Sequence, residues 1–210
     1  YLQRNKPKLA VECFQEAITH SPNFLPGRLG LAKARRALGD LTGAEHCLLE
    51  TLGRSPDSAA ANGLLGSIYL EAGNISSAER PLREAIQLAP DSADFQCDLA
   101  ACLLQLKRPD EAIGEFRRAV ALAPGVFRAW YGLGSTQLMR KHQADAVESF
   151  GRALLIQPDS RECHFNLGRA LCQLGDVDVG IRYFQKAFVA GLTELALDAI
   201  AAWVCAAPSA

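Results

Sequence analysis

"LGSIYLEAGNISSAERPLREAIQLAP", Leu65 to Pro90, is followed 34 residues on by "LAACLLQLKRPDEAIGEFRRAVALAP", Leu99 to Pro124, and after another 34 by "LGSTQLMRKHQADAVESFGRALLIQP", Leu133 to Pro158. Outward from these three stretches, prolines stand at 22, 56, 90, 124 and 158, always 34 apart. Ala10, Ala44, Ala78, Ala112, Ala146 and Gly180 keep the same step. So do Phe14, Leu48, Leu82, Phe116, Phe150 and Phe184, and then Ala17, Thr51, Ala85, Ala119, Ala153 and Ala187. Leu31, Leu65, Leu99, Leu133 and Leu167 form a further column, each followed by Ala or Gly. A unit this short cannot bury its own apolar face. Neighbouring copies can bury it, which is the physical reason to repeat it.

Within the unit, apolar and small residues recur at helical steps of three and four. Between Asp110 and Leu122 they fall at Ala112, Ile113, Phe116, Ala119 and Val120. The preceding run, Phe95 to Leu106, repeats the pattern through Leu99, Cys102 or Leu103, and Leu106. Turn signals separate the two helices: "LGD" at 38–40, "AGN" at 72–74, "LKRPD" at 106–110 and "LGD" at 174–176. Glycine suits the left-handed end of the first helix. Pro7 and Pro109 suit the first turn of the second, where a missing N–H costs nothing. Small pairs such as Gly66 with Ala78, and Gly134 with Ala146, predict close approach of the two helices, with the aromatic column filling the gap beyond. Each late proline ends the second helix. Pro81 falls in the middle of a second helix, loses the bond to the Ser77 carbonyl, and predicts a local kink.

These residues resemble the tetratricopeptide repeat. Trp130, Leu133, Gly134, Ala146, Phe150, Ala153 and Pro158 match one copy of that family's pattern; Leu65, Gly66, Tyr69, Gly73, Ala78, Ala85 and Pro90 match another. The resemblance implies an all-α, right-handed superhelix of antiparallel helix pairs, with the first helix of each pair lining a concave groove. The expected division is a partial repeat at 1–24, repeats at 25–58, 59–92, 93–126, 127–160 and 161–194, and a capping helix and linker start at 195–210, all in one solenoid domain. Tyr1 falls in the column of Tyr69, so the chain is expected to begin inside a first helix, as a piece of a longer repeat protein.

Composition narrows the function. With 22 Lys and Arg against 23 Asp and Glu, the near-neutral balance offers nothing to nucleic acid or to an anionic membrane. No apolar run approaches the ~20 residues that cross a bilayer. Seven cysteines without a C-x-x-C pair read as reduced, mostly buried thiols of a cytoplasmic protein. His20, His46, His142 and His164 are scattered over different columns, and His46-Cys47 and Cys163-His164 point apart as helical neighbours. No zinc site, phosphate loop or other cofactor site is expected. His164 reads as a packed residue between repeats. Asp57, Asp91 and Asp159, in the recurring Pro-Asp-Ser, read as turn and helix-start residues. Nothing in this segment supports catalysis.

The groove implied by the resemblance carries three columns: Lys33, Ser67, Ala101, Ser135, Arg169; Gly30, Leu64, Asp98, Gly132, Asn166; and Leu29, Gly63, Cys97, Tyr131, Phe165. Chaperone-binding members of the family hold a peptide's terminal carboxylate with Lys and Asn on one repeat, Asn on the next, and Lys and Arg on the third. Those places are not jointly filled here. The nucleocytoplasmic O-GlcNAc transferases carry an asparagine ladder along the second column, and Asn166 alone matches it. The expected function is a protein–protein interaction scaffold holding a peptide or helix of an unidentified partner. The alternative is the recognition arm of a larger enzyme, with a glycosyltransferase-, sulfotransferase- or methyltransferase-like domain beyond Ala210. Self-association through a terminal repeat is a third reading. The expected anchors are Tyr131 and Phe165, flanked by Arg128, Asn166 and Arg169, because buried aromatic and Arg groups dominate binding energy. Lys33 and Arg36 would add salt-sensitive steering.

Overall fold

The structure is a computed structural model that describes residues 7–188; the remnant of a first helix expected before Pro7 and the capping helix expected at 195–205 lie outside the described residues. The described residues form eleven α-helices and no strand. Two compact units divide after Leu106.

The first unit holds α1 (Pro7–His20), α2 (Leu25–Ala37), α3 (Leu41–Arg54), α4 (Ala59–Glu71), α5 (Ile75–Leu88) and α6 (Ala93–Gln105). The second holds α7 (Pro109–Leu122), α8 (Phe127–Met139), α9 (Gln143–Ile156), α10 (Arg161–Leu174) and α11 (Val177–Ala187). In the first unit α2 packs on α3 and α4 on α5, while α3 also meets α4 and α5 meets α6. The first helices α2, α4 and α6 touch in succession, which sets them in one layer. The second unit repeats the arrangement: α8 on α9, α10 on α11, α9 on α10, and α8 beside α10.

The repeated columns form the core. Ala44, Ala78, Ala112 and Ala146 are buried, as are Leu48, Leu82, Phe116, Phe150 and Phe184, and so are the five leucines from Leu31 to Leu167. Thr51 is a polar member of an alanine column, buried and satisfied: its hydroxyl donates to the Cys47 carbonyl at 2.6 Å, one turn back. Tight space within each pair rests on the small residue and the large one together. A Cβ added at Gly66 would lie 2.4 Å from Leu82, and one at Gly134 would lie 3.0 Å from Phe150. The hole beside the glycine is thus filled by the bulky column of its own pair, rather than by the alanine four residues earlier. In α10 and α11 the backbones themselves come close. A Cβ on Gly180 would meet the Gly168 carbonyl at 2.8 Å.

The turns explain the boundaries. Ser58, Ser92 and Ser160 cap α4, α6 and α10 by accepting from the backbone N–H of Ala61, Phe95 and Cys163. In each Pro-Asp-Ser the serine is therefore the cap, and the aspartate before it sits exposed in the turn. Between first and second helices one residue goes left-handed at every repeat: Gly39 (φ 79), Gly73 (φ 78), Lys107 (φ 62), Lys141 (φ 62) and Gly175 (φ 97). The geometry is constant although the residue type is not. Pro81 is buried inside α5, which stays helical from Ile75 to Leu88. Ser77, whose carbonyl loses its intrahelical donor, is exposed, so water can serve it.

Candidate partner-binding face

Before any site residue can face a partner, the helices must be fixed at their ends. Arg28, Asn62, Gln96, Trp130 and His164 stand 34 apart, each six residues after a proline. Arg28 Nε donates to the Pro22 carbonyl at 2.8 Å, Asn62 Nδ2 to Pro56 at 3.2 Å, Trp130 Nε1 to Pro124 at 2.9 Å, and His164 Nε2 to Pro158 at 2.7 Å. These side chains share no charge or shape. Arg28, Asn62, Trp130 and His164 share an N–H that reaches the carbonyl where the preceding second helix stops, while Gln96 in the same column keeps a buried Oε1 without a partner. A carbonyl can only accept, so Nε2 of His164 carries the proton. The His164 ring lies against Tyr183, with centroids 5.8 Å apart, and Lys186 Nζ sits 5.1 Å from the Tyr183 ring centre.

The faces of the first helices differ between the two units. In the first, the Ser67 hydroxyl donates to the Asp98 carboxylate on the next first helix. Lys33 is exposed. Arg36 is engaged: its Nε lies 2.6 Å from Glu71 Oε2, an ion pair between α2 and α4 that offsets its charge. The Tyr69 hydroxyl donates to Glu45 at 2.9 Å, and burial, with that bond and charge, pushes the phenol above its ordinary range.

In the second unit, Asn166 Nδ2 donates to the Tyr131 hydroxyl at 3.0 Å, tying α10 to α8. Tyr131 is half-buried; its ring stacks on Phe127 at 5.6 Å and tilts against Phe150 at 5.9 Å. Phe165 is half-buried too, turned toward Phe184 (5.3 Å) and Phe188 (6.0 Å). The structure therefore brings Tyr131 and Asn166 together, and gives Tyr131 and Phe165 separate aromatic neighbours. Both rings carry packing as well as exposed surface. Arg128 is exposed at the start of α8. Arg169 is half-buried, and its Nε is closed to solvent without a hydrogen-bond acceptor. The Ser135 hydroxyl oxygen is in the same condition. Ser135 had only its column to mark it; that its hydroxyl is stranded follows from the geometry.

Elsewhere, Cys47, Cys97, Cys102, Cys163 and Cys172 are buried and Cys13 is exposed, while Cys205 lies outside the described residues. Burial, with a smaller push from Glu162, raises the Cys163 thiol to about 12. Among the described residues no group of three or more His, Cys, Asp or Glu is placed to hold a metal ion. No helix among them is long and apolar enough to cross a membrane.

The tetratricopeptide repeat family model matches residues 29–93, 65–127, 97–157 and 141–191. No curated protein matches in sequence. Among solved structures, a MamA protein is 22% identical at a TM-score of 0.71, over 80% of this chain and 97% of its own. YrrB, described as a TPR protein with an unusual peptide-binding site, is 19% identical at 0.72, over 85% of this chain and 92% of its own. A MamA from Desulfovibrio magneticus RS-1 is 20% identical at 0.71, over 78% of this chain and 92% of its own. At these identities the likeness shows the fold: repeated helix pairs.

Proposed function

The chain belongs to the tetratricopeptide repeat family, and from that premise we propose that it is a protein–protein interaction scaffold whose first helices take up a peptide or helix of a partner. One observation carries the reading. The face of α8 and α10 gathers Tyr131, Asn166 and Arg169, all half-buried, with the Arg169 Nε–H closed to solvent and without an acceptor. A folded chain rarely leaves such a donor idle for its own stability. Aromatic, Asn and Arg groups at one place are also the types that anchor a bound chain. YrrB, with the same fold, is described as having a peptide-binding site. Phe165 and Arg128 would border the contact, and Lys33 would contribute the steering charge on the first unit.

A photo-crosslinking amino acid tests this in the native host. Placed at Arg128, it should give a discrete adduct with a partner protein. Placed at Arg152, exposed on the second helix α9, it should not. An adduct from position 152 with none from position 128 would put the partner on the second helices and overturn the reading.

A further inference from the structure

The chain carries an internal template for what the second unit lacks. Ser67 and Ser135 are 68 residues apart, two repeat steps, and so are Asp98 and Asn166. In the first unit the Ser67 hydroxyl finds the Asp98 carboxylate. In the second, asparagine replaces the aspartate and its amide goes to Tyr131. The position of Tyr131 corresponds to Gly63 in the first unit. With no side chain at Gly63, nothing there competes for Asp98. At position 131 a phenol does compete, and it wins Asn166. The Ser135 hydroxyl is left buried with no partner.

The next rung changes in the same sense. Arg169 corresponds to Ala101, so a cation stands where the first unit has a methyl group. From first unit to second, then, this face loses a carboxylate and gains a guanidinium. Both stranded groups, the Ser135 hydroxyl and the Arg169 Nε–H, call for an acceptor. An uncompensated cation asks for a negative one, and a carboxylate is the anionic side chain that an unmodified protein ligand offers a guanidinium.

We propose that the α8–α10 face takes an acidic side chain of an extended partner segment, its carboxylate received by the Ser135 hydroxyl and the Arg169 guanidinium. The proposal rests on the reading that this face binds a partner chain. The carboxylate takes the place that Asp98 fills for Ser67. Because that precedent is a side chain arriving from the neighbouring element, the ligand group is an internal Asp or Glu rather than a chain end. Both receiving atoms are closed to solvent in the free structure, so the Arg169 side chain turns toward the incoming carboxylate. Asn166 stays on Tyr131 and holds the phenol aside. Phe165, one residue before Asn166, supplies apolar ground for the ligand residue next to the acid.

The test uses the whole chain and a random dodecamer library displayed with blocked C-termini. Selected peptides are resynthesised as C-terminal amides and titrated against the wild type, Arg169→Gln and Ser135→Ala. The expected result is an Asp or Glu at one fixed place. Changing it to Asn or Gln should weaken binding to the wild type at least about tenfold and have little further effect on Arg169→Gln. The Arg169 Nε–H resonance should shift on binding the acidic peptide and not its amide analogue. Should Arg169→Gln fail to fold, Ser135→Ala and the peptide exchange on the wild type give the same answer. Peptides that bind α8 and α10 with no acid preference would overturn the acidic-ligand proposal and leave the scaffold reading standing. Binding that needs a free C-terminal carboxylate would also overturn it. Recovery of no peptide sensitive to substitution on α8 or α10 would overturn both.

Discussion

Asn166 on α10 hands its side-chain amide to the hydroxyl of Tyr131 on α8, 3.0 Å away and 35 residues earlier in the chain. The bond couples neighbouring first helices, so it should appear as an interaction energy. Tyr131→Phe and Asn166→Ala are each expected to cost about 1 kcal/mol, and the double variant less than their sum by about 0.5–1.5 kcal/mol. Urea unfolding of the four proteins measures this. Strict additivity would mean that the bond is made equally well to water.

The N–H column predicts a substitution rule. Trp130→Phe keeps an aromatic ring but removes the indole N–H now 2.9 Å from the Pro124 carbonyl, and with it part of the surface packed on the core, and should lose at least about 1 kcal/mol. His164→Gln, which can still donate to Pro158, should cost less than His164→Leu, which cannot. Equal losses for the two histidine variants would count against the donor role.

Lys141 holds φ at 62° in a turn whose counterparts at 39, 73 and 175 are glycine. A side chain in the left-handed region carries a steric cost of about 1–2 kcal/mol. Glycine removes that cost and gives back part of it through its freer unfolded chain. Lys141→Gly should therefore raise stability by up to about 1 kcal/mol, read as a higher melting temperature. A drop would show that the lysine side chain makes a compensating contact.

Two glycines on the α8 and α9 pair should respond in opposite directions. Gly134 faces Phe150, which a new Cβ would approach to 3.0 Å, so Gly134→Leu should overpack the pair and cost about 1–3 kcal/mol. Gly151 lies within α9 with nothing near its missing Cβ, so Gly151→Ala should stabilise by up to about 1 kcal/mol through helix propensity. Chemical denaturation of the two variants measures both signs.

Cys163 gives a pH signature. Its thiol is raised from an ordinary value of 9.0 to about 12, so the folded chain keeps a proton that the unfolded chain gives up. The stability from this burial is complete below about pH 9 and falls as pH rises toward 12. At pH 8 alkylation should modify the exposed Cys13 first and leave Cys163 untouched until the chain unfolds. Mass analysis of partly modified protein checks the order.

The period of 34 determined the fold from sequence alone, because it is written in short-range constraints. Prolines that stop a helix, alanines that admit a neighbour and apolar residues every third or fourth position act within one pair or on the next, and a linear reading reaches that far. Glycine at 39, 73 and 175 marked the left-handed turn for the same local reason. Lys107 and Lys141 did not, since a lysine gives no sign of a positive φ; at Lys141 the turn is closed by the backbone bonds Lys141 N–H to Leu138 and His142 N–H to Gln137. Arg28, Asn62, Trp130 and His164 looked unrelated as residue types, and their shared N–H to a proline carbonyl emerged only in three dimensions. On the α8–α10 face, the sequence placed Tyr131, Asn166 and Arg169 in neighbouring columns. It could not say that Tyr131 would capture Asn166, or that Ser135 and Arg169 would be left without acceptors. Those outcomes depend on which of several polar atoms lies within 3.5 Å across two helices, a choice made by packing and by no repeat pattern.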